Sequence, residues 1–175
     1  MHRKKLGLIT VCLLAMLAQI HSAAADDFYV DAGIMQMLAE IDSIDRDPIL
    51  LRAKVGYYVT KNASIELQVA TTVNKDRYAN SELSPSIVGL YMRYGSLASS
   101  RERAYVHLGV AHVAVLKEID TKEFGQEFND ISAGIGIEER LKHLKNASVT
   151  FEYTRYHSKD DTPINGLTLG FRTDF

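Results

Sequence analysis

From residue 28 to residue 175 the chain alternates apolar and polar side chains in segment after segment. Nowhere there does it offer an apolar run near the ~18 residues that cross a bilayer as a helix. A strand sends successive side chains to opposite faces, so period-two patterning makes a ribbon with one oily face and one polar face. Eight such segments stand out, approximately 28–39, 49–60, 63–73, 86–96, 104–117, 128–140, 147–157 and 165–175. The second is the clearest: Leu51, Ala53, Val55, Tyr57 and Val59 alternate with Arg52, Lys54, Gly56 and Tyr58. The first is blurred by Met35-Gln36-Met37-Leu38, and the fifth has apolar residues on both faces. An even count closes an all-β, antiparallel, up-and-down barrel of eight strands with both termini at one end.

The amino terminus adds a compartment. His2-Arg3-Lys4-Lys5 is basic, Leu6 to Ile20 is almost wholly apolar, and Ser22-Ala23-Ala24-Ala25 supplies small residues before Asp26-Asp27. This is the pattern of a cleaved export leader, 1–25, followed by one domain, 26–175. Losing Arg3, Lys4 and Lys5 leaves 17 basic against 22 acidic residues, a formal charge of −5 that argues against nucleic acid as a partner. Cys12 lies in the leader without a lipoprotein-type sequence before it, so the mature chain has no thiol for a disulfide, a metal or catalysis.

Alternation does not say which face looks inward. A soluble barrel hides its oily face and a membrane barrel shows it to lipid. The polar faces carry Arg52, Lys54, Arg93 and Arg172 against Asp31, Glu66, Glu138 and Glu152, four of each sign. A matched set suits a narrow lumen, because unpaired buried charge is costly. Gly33, Gly56, Gly89, Gly109, Gly134, Gly136 and Gly170 share that face and leave room for long side chains. Phe28, Tyr57, Tyr94, Phe171 and Phe175 fall on the oily face near the ends that would be periplasmic, as an interfacial aromatic girdle requires. The expectation is a transmembrane barrel; a soluble periplasmic ligand-binding barrel is the alternative.

With these features the chain resembles the small outer-membrane β-barrels of the OmpA/OmpX-like superfamily of Gram-negative bacteria. Gly56-Tyr57-Tyr58-Val59-Thr60-Lys61-Asn62-Ala63-Ser64-Ile65-Glu66-Leu67 has the hairpin style of that group. The last strand is similar to the signal that the barrel-assembly machinery reads, with Thr168 at its polar position, Gly170 at its glycine and Phe175 as the terminal aromatic. Thr173 stands where the family usually has an aromatic residue. The resemblance implies residence in the cell outer membrane, contact with outer-membrane lipids and lipopolysaccharide, insertion by the assembly machinery, a monomer, and no cofactor.

Chemistry finds little support in the residues. Eight-stranded lipid A deacylases match the chain in size, so a lipid A-modifying hydrolase is the enzymatic alternative. The nearest motif is Tyr156-His157-Ser158, whose adjacent His and Ser belong on opposite faces of a strand, with Asp160 or Asp161 as orienting acid only if the loop folds back. We read His157 as a loop histidine. His107 and His112, five apart, cannot share a metal; His107 is expected in the lumen beside Glu138, and His112 near the outer interface. The acidic sets Asp42/Asp45/Asp47 and Asp120/Glu123/Glu127 read as solvated surface, so no metal is expected. Connections near 40–48, 74–85, 118–127 and 158–164 would face outward and carry any extracellular ligand; those at 61–62, 97–103 and 141–146 would be periplasmic. The expected role is structural or surface interaction (adhesion or porin-like) through the outward connections, with a charge network filling the lumen in place of a wide pore.

Overall fold

The computed structural model describes residues 27–41, 44–78, 81–96, 101–119, 122–144, 146–158 and 162–175. The expected leader lies outside these, as do Asp42, Asp120, Asp160 and Asp161. Among the described residues ten strands form: β1 (Phe28–Ile41), β2 (Ile44–Arg46), β3 (Ile49–Tyr58), β4 (Ala63–Asn74), β5 (Asp76–Tyr78), β6 (Ser81–Gly95), β7 (Glu102–Ile119), β8 (Lys122–Arg140), β9 (Ala147–His157) and β10 (Ile164–Asp174). The three-residue β2 and β5 fold back on β1 and β6. The other eight are the staves of a closed antiparallel barrel, β1-β3-β4-β6-β7-β8-β9-β10, sealed by β10 pairing with β1.

The pairing fixes the barrel's shape. Starting at Ile137 and following cross-strand partners once around the wall (Phe151, Leu169, Ile34, Leu51, Thr71, Ser86, Ala114) returns to β8 at Glu127. The stagger is ten residues, from 137 to 127. With about 4.8 Å between strands and 3.4 Å per residue, a stagger of ten over eight strands tilts them by about 40°. Eight strands at that tilt enclose an interior narrow enough to be filled by side chains.

The oily face looks out. Ile34, Leu67, Leu90, Leu108, Ile131 and Leu169 are all exposed on the wall, Leu67 at 53%. On β1 this band runs from Phe28 to Gln36, about 20 Å along the axis after allowing for tilt. Above it the wall turns polar at Gln36, His112, Asn129, Arg155 and Asn165, with His112 Nδ1 2.9 Å from Asn129 Oδ1 and the Tyr153 hydroxyl donating to Asn165 at 2.9 Å.

Two expectations need correction. The segments 74–85 and 118–127 are largely strand, because β6 begins at Ser81 and β7 and β8 pair up to Ile119 and Lys122. Inward Leu83, Ile87, Val113 and Val115 continue the alternation there, giving the extension a packed side. Pro85 fits because β4 pairing ends at Ser86, so its missing N–H interrupts only a free edge. Nor is the interior polar throughout. Met35, Met37, Leu50, Ile87, Val113, Tyr156 and Ile164 form an apolar core inside the barrel at the end away from the termini. The blurred stretch of β1 is this change of lumen chemistry: Met35 and Met37 point inward and are buried, while Gln36 and Leu38 stay outside.

Candidate functional site

The half of the lumen nearer the termini holds the eight charged residues of the polar faces, every one buried. Glu152 of β9 is the hub. It takes Arg52 at 2.6 Å on one oxygen and Lys54 at 2.6 Å on the other, and accepts from the Tyr105 hydroxyl at 3.0 Å and the Thr154 hydroxyl at 3.1 Å. Arg52 also pairs with Asp31, which accepts from the Thr150 hydroxyl at 2.8 Å. Lys54 reaches Glu66 at 3.2 Å, and Glu66 accepts from the Tyr29 hydroxyl. Glu138 receives Arg93 at 2.6 Å and Arg172 at 3.3 Å, and Arg172 continues to Asp174 at 2.7 Å.

Aromatic rings fill between the ions. The Arg93 guanidinium lies 3.8 Å from the Tyr105 ring centroid and that of Arg172 lies 3.5 Å from Tyr29. Such stacking lets a planar cation keep its in-plane N–H groups for carboxylates. Glycine makes the rings possible: a Cβ at Gly56 would fall inside the Tyr29 ring, and one at Gly136 inside that of Tyr105. The alternation locates both glycines and rings on the inner face, but it does not single out Tyr29 and Tyr105 as hydrogen-bond donors to Glu66 and Glu152. Gln68 donates to the buried Tyr156 hydroxyl at 2.8 Å, at the border between the charged and apolar halves.

His107 lies inside as expected, but its carboxylate is Glu152, 3.7 Å from Nδ1, and not Glu138. Its register partner on β8 is Gly134, four residues from Glu138, whose oxygens are taken by Arg93 and Arg172. His157 is not a loop residue. It ends β9, where a register shift at Ile164/Asn165 turns it inward and buries it, Nδ1 3.2 Å from Asp130 and its ring 4.7 Å from that of Phe128. Ser158, beyond the end of β9, is exposed. Among the described residues no group of three His, Cys, Asp or Glu side chains is placed to hold a metal.

Thr168 is buried and faces the lumen, and Gly170 packs there against Thr150, Asp31 and Arg52. Phe175 N–H donates to the Phe28 carbonyl at 2.9 Å, extending the closing seam. Phe28, Tyr57, Tyr94 and Phe171 stand on the outer wall near the termini, the Phe28 and Tyr57 rings 4.8 Å apart.

Residues 9–175 match a family described as outer membrane protein beta-barrel domain. Among solved structures, Neisserial surface protein A superposes with a TM-score of 0.70 at 14% identity, over 87% of this chain and 100% of that one. Ail, the attachment invasion locus protein of Yersinia pestis, gives 0.65 at 14% over the same shares, and has also been solved with the heparin analogue sucrose octasulfate. The outer membrane protein OprG of Pseudomonas aeruginosa gives 0.62 at 14%, over 86% of this chain and 96% of that one. No curated protein matches the sequence.

Proposed function

The chain belongs to the outer membrane protein β-barrel domain family, and from that membership we propose a barrel that serves the cell surface as a scaffold and interaction protein, without a wide pore and without catalysis. It resides in the outer membrane. The observation that carries the reading is the filled lumen. Arg52, Arg172, Met35, Leu50, Ile87 and Tyr156 are fully buried inside it, so ion pairs occupy one half of the lumen and an apolar core the other. An apolar constriction resists ions because they must shed water to enter it.

We place the termini in the periplasm and the β6–β8 extension outside, with 1–25 removed on export. The outward segments 40–48, 74–85, 118–127 and 158–164 then carry 12 carboxylates against five Lys and Arg. Such an excess favours a cationic partner or one bridged by divalent cations, and disfavours a polyanion of the kind seen with Ail. The hydrolase alternative is weakened by the inward turn of His157, which buries its ring beside Asp130 and Phe128. The test is a planar-bilayer recording with the folded protein, alongside adsorption of proteoliposomes to polylysine and heparin surfaces. Stepwise conductance of a wide pore, or preference for heparin, would overturn the proposal.

A further inference from the structure

The outer wall has a depression at the end holding the termini. A groove of about 520 Å³ crosses β6 to β9, lined by Tyr94, Ala104, Ile135, Ile137, Phe151 and Tyr153 among others. Its origin is local: Ala104 pairs with Ile137, and Ile137 with Phe151, so one methyl group sits in a row of large side chains. Glu139 follows Ile137 by two residues, hence on the same face of β8, just beyond the groove toward the termini. Its carboxylate is held by Arg101, which also donates Nε–H to the Arg140 carbonyl at 3.2 Å. Both side chains are about half exposed, at 48% and 52%. An apolar groove on a lipid-facing wall thus ends at an accessible cation and anion placed side by side.

We propose that the groove and the Arg101–Glu139 pair form a binding site for one phospholipid with a phosphoethanolamine headgroup. The occupant comes from the leaflet on the termini side, which rests on the orientation proposed above. An acyl chain fills the depression over Ala104. The planar Arg101 fork takes the phosphate, and Glu139 accepts N–H bonds from the primary ammonium. A zwitterionic headgroup exchanges one neutral ion pair for two and leaves no charge behind. Phosphocholine has the same charges but no N–H to donate, and phosphatidylglycerol offers Glu139 no cation.

The test uses the mature chain, folded in mixed micelles containing equal amounts of phosphatidylethanolamine, phosphatidylcholine and phosphatidylglycerol with identical acyl chains. Native mass spectrometry then counts the lipid retained by each barrel. The expected result is one retained lipid, with phosphatidylethanolamine preferred over phosphatidylcholine by roughly fivefold, as charge-assisted hydrogen bonds to one headgroup allow. Arg101→Gln and Glu139→Gln should each abolish the preference, and Ala104→Phe should lower retention of all three lipids. Equal retention of phosphatidylethanolamine and phosphatidylcholine, a preference for phosphatidylglycerol, or variants that behave as wild type would overturn the site. A heat-dependent gel shift is recorded for each protein; its absence from wild type would count against the barrel reading, not against the site alone.

Discussion

Replacing Glu152 with Gln keeps the side chain's shape and removes its charge, leaving the balanced set of four cations and four anions one anion short. Two cations feel the loss directly, since Arg52 and Lys54 each approach a Glu152 oxygen at 2.6 Å. Arg52 retains Asp31, and Lys54 retains Glu66 at 3.2 Å. Removing one partner of a buried, hydrogen-bonded pair costs about 3–5 kcal/mol, chiefly because it strands the opposite charge. We expect a loss in that range for Glu152→Gln. The exposed Arg101–Glu139 pair supplies the control, and Glu139→Gln should cost about 0–1 kcal/mol. Restoring neutrality by adding Lys54→Met should recover part of the loss, with a coupling energy of about 1–3 kcal/mol in the double-mutant cycle. The measurement is reversible urea unfolding in lipid vesicles, followed by heat-dependent gel mobility and by tyrosine fluorescence, the chain having nine Tyr and no Trp. If Glu152→Gln costs no more than Glu139→Gln, charge balance in the lumen does not hold the barrel together.

Gly136→Val should destabilise by about 1–3 kcal/mol through collision with the Tyr105 ring, read from the same unfolding midpoints; a neutral effect would mean that the ring moves freely. Leu67→Arg, on the lipid-facing wall, should cost about 2–4 kcal/mol if position 67 lies near mid-bilayer, and spin labels at Leu67 and Glu66 should report lipid and a protected lumen respectively. A water-exposed label at 67 would place the band elsewhere. Deleting Phe175 should slow folding catalysed by the purified assembly machinery in proteoliposomes, while leaving unassisted folding in detergent nearly unchanged. Equal slowing of both would make Phe175 a residue of the closing seam rather than a recognition signal.

Much of the architecture is legible because parity is a local property. Leu51, Ala53, Val55 and Tyr57 lie outside and Arg52, Lys54 and Gly56 inside with no need to know what any of them meets. Parity loses force as a guide where turn-forming residues interrupt it. In β6, Leu83, Pro85 and Ile87 alternate with Ser84 and Ser86, yet the serines and the proline suggest a turn, and the strand survives because Leu83 and Ile87 pack into the apolar core. Met35 and Met37 fail in the opposite way. Their inward placement follows from parity with Asp31 and Gly33, but a rule that equates apolar with outward misplaces them. Hydrophobicity identifies the lipid band only over the height at which the lumen is charged.

Which lumen residues meet is a property of the stagger, and nothing local encodes it. Arg52 and Glu152 are 100 residues apart in sequence and sit on strands that are not paired with each other. They touch because β1 and β10 lie between β3 and β9, and a tilt of about 40° brings side chains from different register rows to one height. A stagger of eight in place of ten would lower that tilt and set different ions opposite one another with the same alternation. His107 shows the consequence: either Glu138 or Glu152 satisfies its inward parity, and only the three-dimensional offset selects Glu152. The same reasoning explains how solved structures at 14% identity can share the fold. Alternation can be written with many different residues, as long as apolar side chains fall on the lipid-facing side. The groove at Ala104 depends on one small residue among large neighbours, so it is a feature of this chain rather than of the architecture.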